Sequence, residues 1–474
     1  MSMQLNMEKC TRIATLKEEP IIKPNMEPML PAIAPIEEAV RQPPQGGLYG
    51  YLNVVGLFFV YFITLGQLAA FSTYQDYYEE RMLASYSPSI ISWIGTTQVF
   101  SLGIVGLFSG ALYDRGYSHG ALIPGFVLVV LGLLLLSFSN QYWHVLLSQG
   151  FLIGIGGGLV YIPAISIVTH RFSARPALAL GIAATGSAIG GIIWPIVFRR
   201  LLQPIGFAWA SRVFTLLVLV LAVVSYCTLT GSHRPTLKLF FHRSEDDDGC
   251  GSESDTPVPI SKKRGMFLAA LKGRAYQFLC VGIFLVLLGY WVPLFYLVPY
   301  ASRSLGTSST HASDLLSILN AASLFGRVLP AAFGHKVGAA NILLAGATVL
   351  GVLILAWISI GSIAGITVWS IFLGFTAGSV ITIPNAVASR LSQPSNTGLR
   401  IGIMWAVGAF AELIGSPVAG ALLIERDGRV SYFGCQIFGG LSVLVGAGFL
   451  VIPAWIIIKS DRGKDVETAA GISI

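Results

Sequence analysis

The chain has 474 residues, of which 54% are hydrophobic and 11% charged, with a formal net charge of +7 and a mean hydropathy of +0.72. A soluble globular chain carries roughly 25% charged residues, so this one has too few to cover its own surface in water. Its basic residues are scattered between apolar blocks rather than gathered on one face with interleaved aromatics, which excludes a nucleic-acid binder.

In chain order, residues 1–46 contain several prolines and no apolar period, and read as a disordered cytoplasmic tail. The first apolar block begins near Tyr51, too far in for a cleavable signal peptide, so the first span reads as a retained signal-anchor. Windows of about 20 mostly apolar residues, the length that crosses a bilayer, then predict twelve spans. They fall at 51–74, 91–112, 120–138, 144–168, 177–198, 212–230, 275–298, 312–333, 341–360, 363–388, 401–424 and 432–457. Residues 232–273 interrupt the series with the acidic run from Ser244 to Asp255 and then Lys262, Lys263 and Arg264, and read as a solvated cytoplasmic linker whose serines are also candidates for phosphorylation. A tail follows from 459 to 474.

Basic residues set the orientation. Placing the N-terminus in the cytoplasm puts Arg115, Arg171, Arg175, Lys336, Arg390, Arg400, both tails and the cluster from Arg234 to Arg274 inside. The outer side keeps Arg81, Arg199, Arg200, Arg212, Arg303, Arg426 and Arg429. Both termini are therefore expected in the cytoplasm. The domain reading is a tail at 1–46, a six-helix half at 47–231, a linker at 232–273, a second six-helix half at 274–458 and a tail at 459–474.

The halves repeat. Gly157 and Pro163 recur as Gly378 and Pro384, and Gly181-Ile182 recurs as Gly402-Ile403; each glycine and proline pair is separated by 221 residues. Asp114-Arg115, after span two, falls by the same offset on His335-Lys336, after span eight. Two six-helix halves in parallel repeat, joined by a long loop, is the layout of the major facilitator architecture, with its binding site near the midplane where the halves meet. The expected class is thus an all-α polytopic membrane protein.

The five cysteines, Cys10, Cys227, Cys250, Cys280 and Cys435, have neither CxxC nor metal spacing, so no disulfide framework, zinc site or cofactor is expected. No GxxxxGK[ST] sequence occurs, which removes support for ATP-driven transport. The glycine run Gly154–Gly158 lacks the strand and βαβ unit of a dinucleotide fingerprint, and reads as close helix packing. No paired His/Asp metal set or Ser/Lys dyad lies within the spans, against an intramembrane enzyme.

Several motifs narrow the reading. Gly110-Ala-Leu-Tyr-Asp114-Arg115-Gly116 resembles the signature loop of the major facilitator superfamily, where glycine makes the turn and the Asp caps a helix or pairs with a basic group across the interface. This is a gating role for Asp114 and Arg115; the second half has His335 instead of the acid, so the gate is expected to be asymmetric. Gly46-Gly47-Leu-Tyr-Gly-Tyr51, Gly154–Pro163 with His170-Arg171-Phe172, and Ala179–Gly191 with Pro195 resemble motifs of monocarboxylate transporters. Gly289–Tyr296, Asn320–Arg327, Arg400–Ile403 and Gly415-Ser-Pro417 resemble the fungal branch of that family. The resemblance spans about residues 45–460 and implies a fungal source.

Arg327, inside predicted span eight, is the leading site residue. A charge there costs about 2.5–3.5 kcal/mol on insertion scales and marks function, and guanidinium holds a carboxylate through two parallel hydrogen bonds. The resemblance implies that the arginine of this motif engages a substrate carboxylate; the competing reading is a structural partner to a buried acid or to carbonyls. Asn320 and Ser323 precede Arg327 by seven and four residues and share its helix face. Gln67, Tyr74, Tyr290, Trp291, Tyr296 and Asn385 are further candidates to reach the cavity, the aromatics competing with packing and interfacial roles.

Glu412, mid-span in helix eleven, is a candidate to carry a coupling proton or to pair with Arg327 or a hydroxyl. Carboxylate carriers of the resembled family use a lysine on the first helix in proton-linked binding; the segment Thr64–Tyr74 has neither lysine nor acid, so the resemblance does not extend to that coupling.

The resulting expectation is a secondary carrier of the plasma membrane that moves a small organic solute, a carboxylate or polar metabolite, by alternating access. Its partners are the solute and the lipid bilayer, with no nucleic acid, and a monomer is the default. The alternatives are an exporter of a secondary metabolite, with Arg327 mainly structural, and a non-transporting nutrient sensor.

Overall fold

A computed structural model describes residues 47–86, 88–172, 175–231, 271–426 and 429–469. The sequence expectations for the tail at 1–46, for 232–270 and for 470–474 lie outside the described residues. Within them, eleven helices are long and apolar enough to cross a membrane.

The first crossing is segmented: α1 (Gly47–Ile63), α2 (Leu65–Ala69) and α3 (Phe71–Tyr77) run into a π-helical turn, Tyr78–Met82. Its first break is at Thr64, whose hydroxyl donates back to the Val60 carbonyl at 2.6 Å. The next crossings are α4 (Pro88–Asp114) and α5 (Ser118–Leu136). Short α6 (Tyr142–Val145) passes through a second π-helical stretch, Leu146–Ile153, into α7 (Gly154–Arg171).

Helix α8 (Pro176–Thr230) is 55 residues long, more than twice one crossing, but it is not one rod. Gly206, with φ 73° and ψ 174°, takes a backbone conformation that a side chain would disfavour, and splits α8 into two legs. The loop expected at 199–211 is therefore helical on both sides of a single kink: Arg199-Arg200-Leu201-Leu202-Gln203 are helix formers, and the break is confined to Pro204-Ile-Gly206. Counting both legs gives twelve crossings.

The second half runs α9 (Arg274–Ser304), α10 (Ser309–Ala332), short α11 (Gly334–Val337), α12 (Ala339–Ala356), α13 (Ile363–Arg390) and α14 (Thr397–Ala421). A two-stranded antiparallel hairpin, β1 (Ile424–Arg426) and β2 (Arg429–Ser431), leads to α15 (Phe433–Ala469). The boundary expected at 459 marks where apolar residues stop, not where the helix stops: the polar stretch beyond Lys459 keeps α-helical geometry to Ala469.

Outward faces carry Phe108, Leu216, Val220 and Phe372 at 59–65% exposure, a surface whose natural solvent is lipid. Inside each half, small residues let helices meet at backbone distance. A Cβ on Gly66 would lie 2.9 Å from the Gly190 Cα, and one on Gly326 would lie 1.8 Å from the Phe375 carbonyl oxygen. Trp194, fully buried, donates from Nε1 to the Phe62 carbonyl at 2.9 Å and ties α8 to α1.

The halves meet along two seams, α4 with α14 and α8 with α10. The repeated glycines sit on these seams in exchange-symmetric fashion. Gly181 on α8 faces the Arg327 carbonyl and Ala331 on α10, while its counterpart Gly402 on α14 faces Gly106 and Leu107 on α4.

Candidate solute-binding site

Asn320, Ser323 and Arg327 follow one another along a single face of α10, and Gly378 of α13 packs directly on the Ser323 carbonyl. Two turns further along α13 comes Asn385, fully buried. The Ser323 hydroxyl donates to the Asn320 carbonyl at 2.8 Å, so it is used within its own helix. The Asn320 amide faces α8, 3.7 Å from where a Cβ on Gly191 would stand.

Arg327 is 8% exposed, and its Nη1 donates across the seam to the Ala184 carbonyl and to the Ser187 hydroxyl oxygen on α8. Its Nε is buried without a partner. Tyr61 of α1, Tyr161 of α7 and Tyr290 of α9 lie within electrostatic reach of the guanidinium. The Tyr161 hydroxyl donates to that of Tyr61 at 3.4 Å, and their rings meet edge to face at 5.3 Å. Trp405 of α14 stands edge-on to Tyr161, ring centroids 5.9 Å apart, and its indole N–H donates to Asn385 Oδ1 at 2.7 Å. Because an indole can only donate, this bond fixes the carboxamide: oxygen toward Trp405, Nδ2 on the free side. Nδ2 has no hydrogen bond of ordinary geometry, although Tyr61 and Tyr161 are its polar neighbours.

Glu412, 9% exposed on α14, has Trp291 and Tyr290 as polar neighbours. The Trp291 Nε1 is buried and makes no hydrogen bond of ordinary geometry. Among the described residues, no ion pair joins Glu412 to Arg327; the two charges share Tyr290 as neighbour instead.

The candidates expected from sequence thus divide. Arg327, Asn320, Ser323, Tyr290, Asn385 and Glu412 come together around the meeting of the halves. Gln67 is fully buried on α2, next to the Gly66–Gly190 contact, with Oε1 unpartnered. Tyr296 lies elsewhere, its hydroxyl 2.7 Å from the Cβ position of Gly420, beside Cys435 and Tyr432. Four residues that sequence reading did not single out complete the cluster: Ser187, Tyr61, Tyr161 and Trp405. The repeat held one signal for them, since the 221-residue offset carries Ala184 onto Trp405.

Asp114 and Arg115 belong to a separate feature at one end of the bundle. The Asp114 carboxylate accepts from the backbone N–H of Gly398 at 2.9 Å and of Leu399 at 2.6 Å, capping α14 from the opposite half. There the backbones nearly touch, a Cβ on Gly110 falling 2.2 Å from the Gly398 carbonyl oxygen. Gly116, at φ 83°, makes the turn that follows, and Arg115 is exposed. Among the described residues, no group of three His, Cys, Asp or Glu side chains is placed to hold a metal ion.

A repeated helical bundle with a buried polar cluster between its halves defines a membrane solute transporter. The chain belongs to the major facilitator superfamily, whose family model matches residues 53–276 and 279–469. It is 34% identical over 427 residues to the MFS-type transporter dbaD of Emericella nidulans, covering 88% of this chain and 90% of that one. It is 33% identical to the aspyridones efflux protein of Emericella nidulans (95% and 85% covered) and 32% identical to the agnestins efflux protein of Paecilomyces divaricatus (85% and 86%). Among solved structures, FucP, a superfamily transporter captured in its outward conformation, matches with a TM-score of 0.64 at 15% identity, over 85% of this chain and 98% of that one; this likeness concerns the fold.

Proposed function

We propose that the protein is a secondary active exporter of an anionic or acceptor-rich organic metabolite, working by alternating access in the plasma membrane. The observation that carries this reading is the buried Arg327 guanidinium, whose Nε has no hydrogen-bond partner and whose Nη1 is held by neutral oxygens of α8. Leaving a buried donor unmade costs about 1–3 kcal/mol, and such a group in a native interior calls for a reason. A buried cation with an unused donor favours a ligand with oxygen acceptors, and a carboxylate meets that requirement best. The likeness to monocarboxylate-transporter motifs supports the same chemistry. Export rather than uptake is supported by the two relatives named as efflux proteins and by the lack of a lysine on the first crossing.

The test is untargeted mass spectrometry of cells and medium from strains with and without this gene. A metabolite that accumulates in the deletion strain and disappears from its medium identifies an exporter and its cargo. An acid left unconsumed in the medium instead overturns export in favour of uptake.

Glu412 supplies a buried carboxyl with no basic partner among the described residues, and in this reading it carries the coupling proton. Glu412→Gln is expected to flatten the dependence of export on external pH. A pH profile identical to that of the parent removes Glu412 from the coupling scheme.

A further inference from the structure

The guanidinium proposed to hold the solute is engaged by the opposite half of the protein. Arg327 projects from α10, and its two acceptors, the Ala184 carbonyl and the Ser187 hydroxyl, both sit on α8. Both acceptors are neutral. A buried cation held only by neutral oxygens is weakly compensated, and an anion is a stronger partner for it.

The position of this contact is informative. It lies near the end of α10 and near the start of α8, where Gly181 meets the Arg327 carbonyl and Gly334 meets Ala177. This is the end that Asp114 closes on the other seam by capping α14. The repeat places His335, whose ring turns back to the Ala332 carbonyl, at the position equivalent to Asp114. Among the described residues, the α8–α10 seam therefore has no carboxylate cap of that kind, and the Arg327 contact stands in its place.

We infer that Arg327 is also a latch between the halves, exchanging between Ser187 and the Ala184 carbonyl when this end is closed and an anionic solute when it is open. The inference rests on reading Arg327 as an anion site. Closing the seam brings Ser187 and Ala184 onto the guanidinium and weakens its hold on the anion; by reciprocity, a bound anion opposes closure of the seam. An anion accepted while this end is open is given up as the end closes, the order an exporter needs. Ser187 is a positioning residue in this scheme.

Two substitutions with opposite signs test it without a solute. Nitroxide labels at Arg115→Cys and Lys336→Cys, both exposed positions at this end, report the separation of the halves by pulsed electron resonance. The protein is the full chain in lipid nanodiscs, with its native cysteines replaced. Ser187→Ala removes one acceptor and is expected to raise the ratio of long-distance to short-distance populations about tenfold, the worth of one hydrogen bond to a charged group. Ser187→Asp gives the latch its own anion and is expected to collapse the distribution to the short distance and abolish export. A Ser187→Ala distribution identical to the parent, or a Ser187→Asp distribution shifted to longer distance, overturns the latch. Because no solute enters the measurement, such a result leaves the export reading untouched, and an uptake phenotype in the metabolite comparison leaves the latch untouched.

Discussion

Replacing Arg327 with alanine is expected to abolish transport while leaving the protein folded and in the membrane. The argument rests on what the substitution leaves behind. Truncating one member of a buried ion pair strands a charge and costs about 3–5 kcal/mol, but among the described residues Arg327 has no anionic partner to strand. Its acceptors satisfy each other, since the Ser187 hydroxyl already donates to the Ala184 carbonyl at 3.0 Å. The variant therefore loses the cation of the proposed site at little cost to the fold. Arg327→Lys is expected to fail nearly as completely, because a single ammonium lacks the planar fork that spans two acceptors. Export measured by mass spectrometry, normalised to the amount of fluorescently tagged protein in the membrane, checks both. Transport at the parental rate in the alanine variant removes Arg327 from the site.

Gly326→Ala is expected to have the largest structural effect of any single methyl group in the second half. The added Cβ would stand 1.8 Å from the Phe375 carbonyl oxygen and 2.6 Å from its carbonyl carbon, backbone atoms that no rotamer change can move. Ordinary overpacking costs about 1–3 kcal/mol; here α10 and α13 would have to separate along the face that carries Ser323 and Arg327. The expected outcome is loss of monodisperse protein in size-exclusion chromatography after solubilisation. Gly448→Ala on α15, where a Cβ meets nothing within 4 Å, is the matched control and should behave as the parent. A Gly326→Ala variant as stable as that control would show that α10 and α13 do not pack as closely as described.

Much of this was legible in the chain because the bilayer imposes a long apolar run on every crossing, and such runs survive in sequence whatever packs against them. The kink at Gly206 shows the limit: composition places two crossings there, but helix formers on both sides conceal that their connection is one glycine. Asp114 was legible as a capping acid, although the N–H groups it caps are 284 and 285 residues away in sequence. The site was legible only where a residue is anomalous in its surroundings. Arg327 and Glu412 stand out as charges in apolar helices. Ser187, Tyr61, Tyr161 and Trp405 are ordinary members of their helices, and they become a cluster only because glycine-to-glycine contacts set the azimuth of each helix. Tyr296 shows the converse, an aromatic in a suggestive motif that the same azimuths turn toward Cys435.

The Asp114 cap also bears on how the two copies of the repeat differ. In the second copy α14 begins at Thr397 and takes its cap from the other half; in the first copy the equivalent position, at the start of α8, is Pro176. Proline at the first helical position brings its own fixed φ and has no N–H to satisfy. The helix facing the copy that has His335 is thus started by covalent geometry, and the helix facing the copy that has Asp114 is started by a neighbour. Histidine on one side goes with the proline ring on the other, and the acid goes with a helix start that has no proline. The repeats are therefore not interchangeable: a second copy substituted for the first would present His335 where α14 takes its cap from a carboxylate.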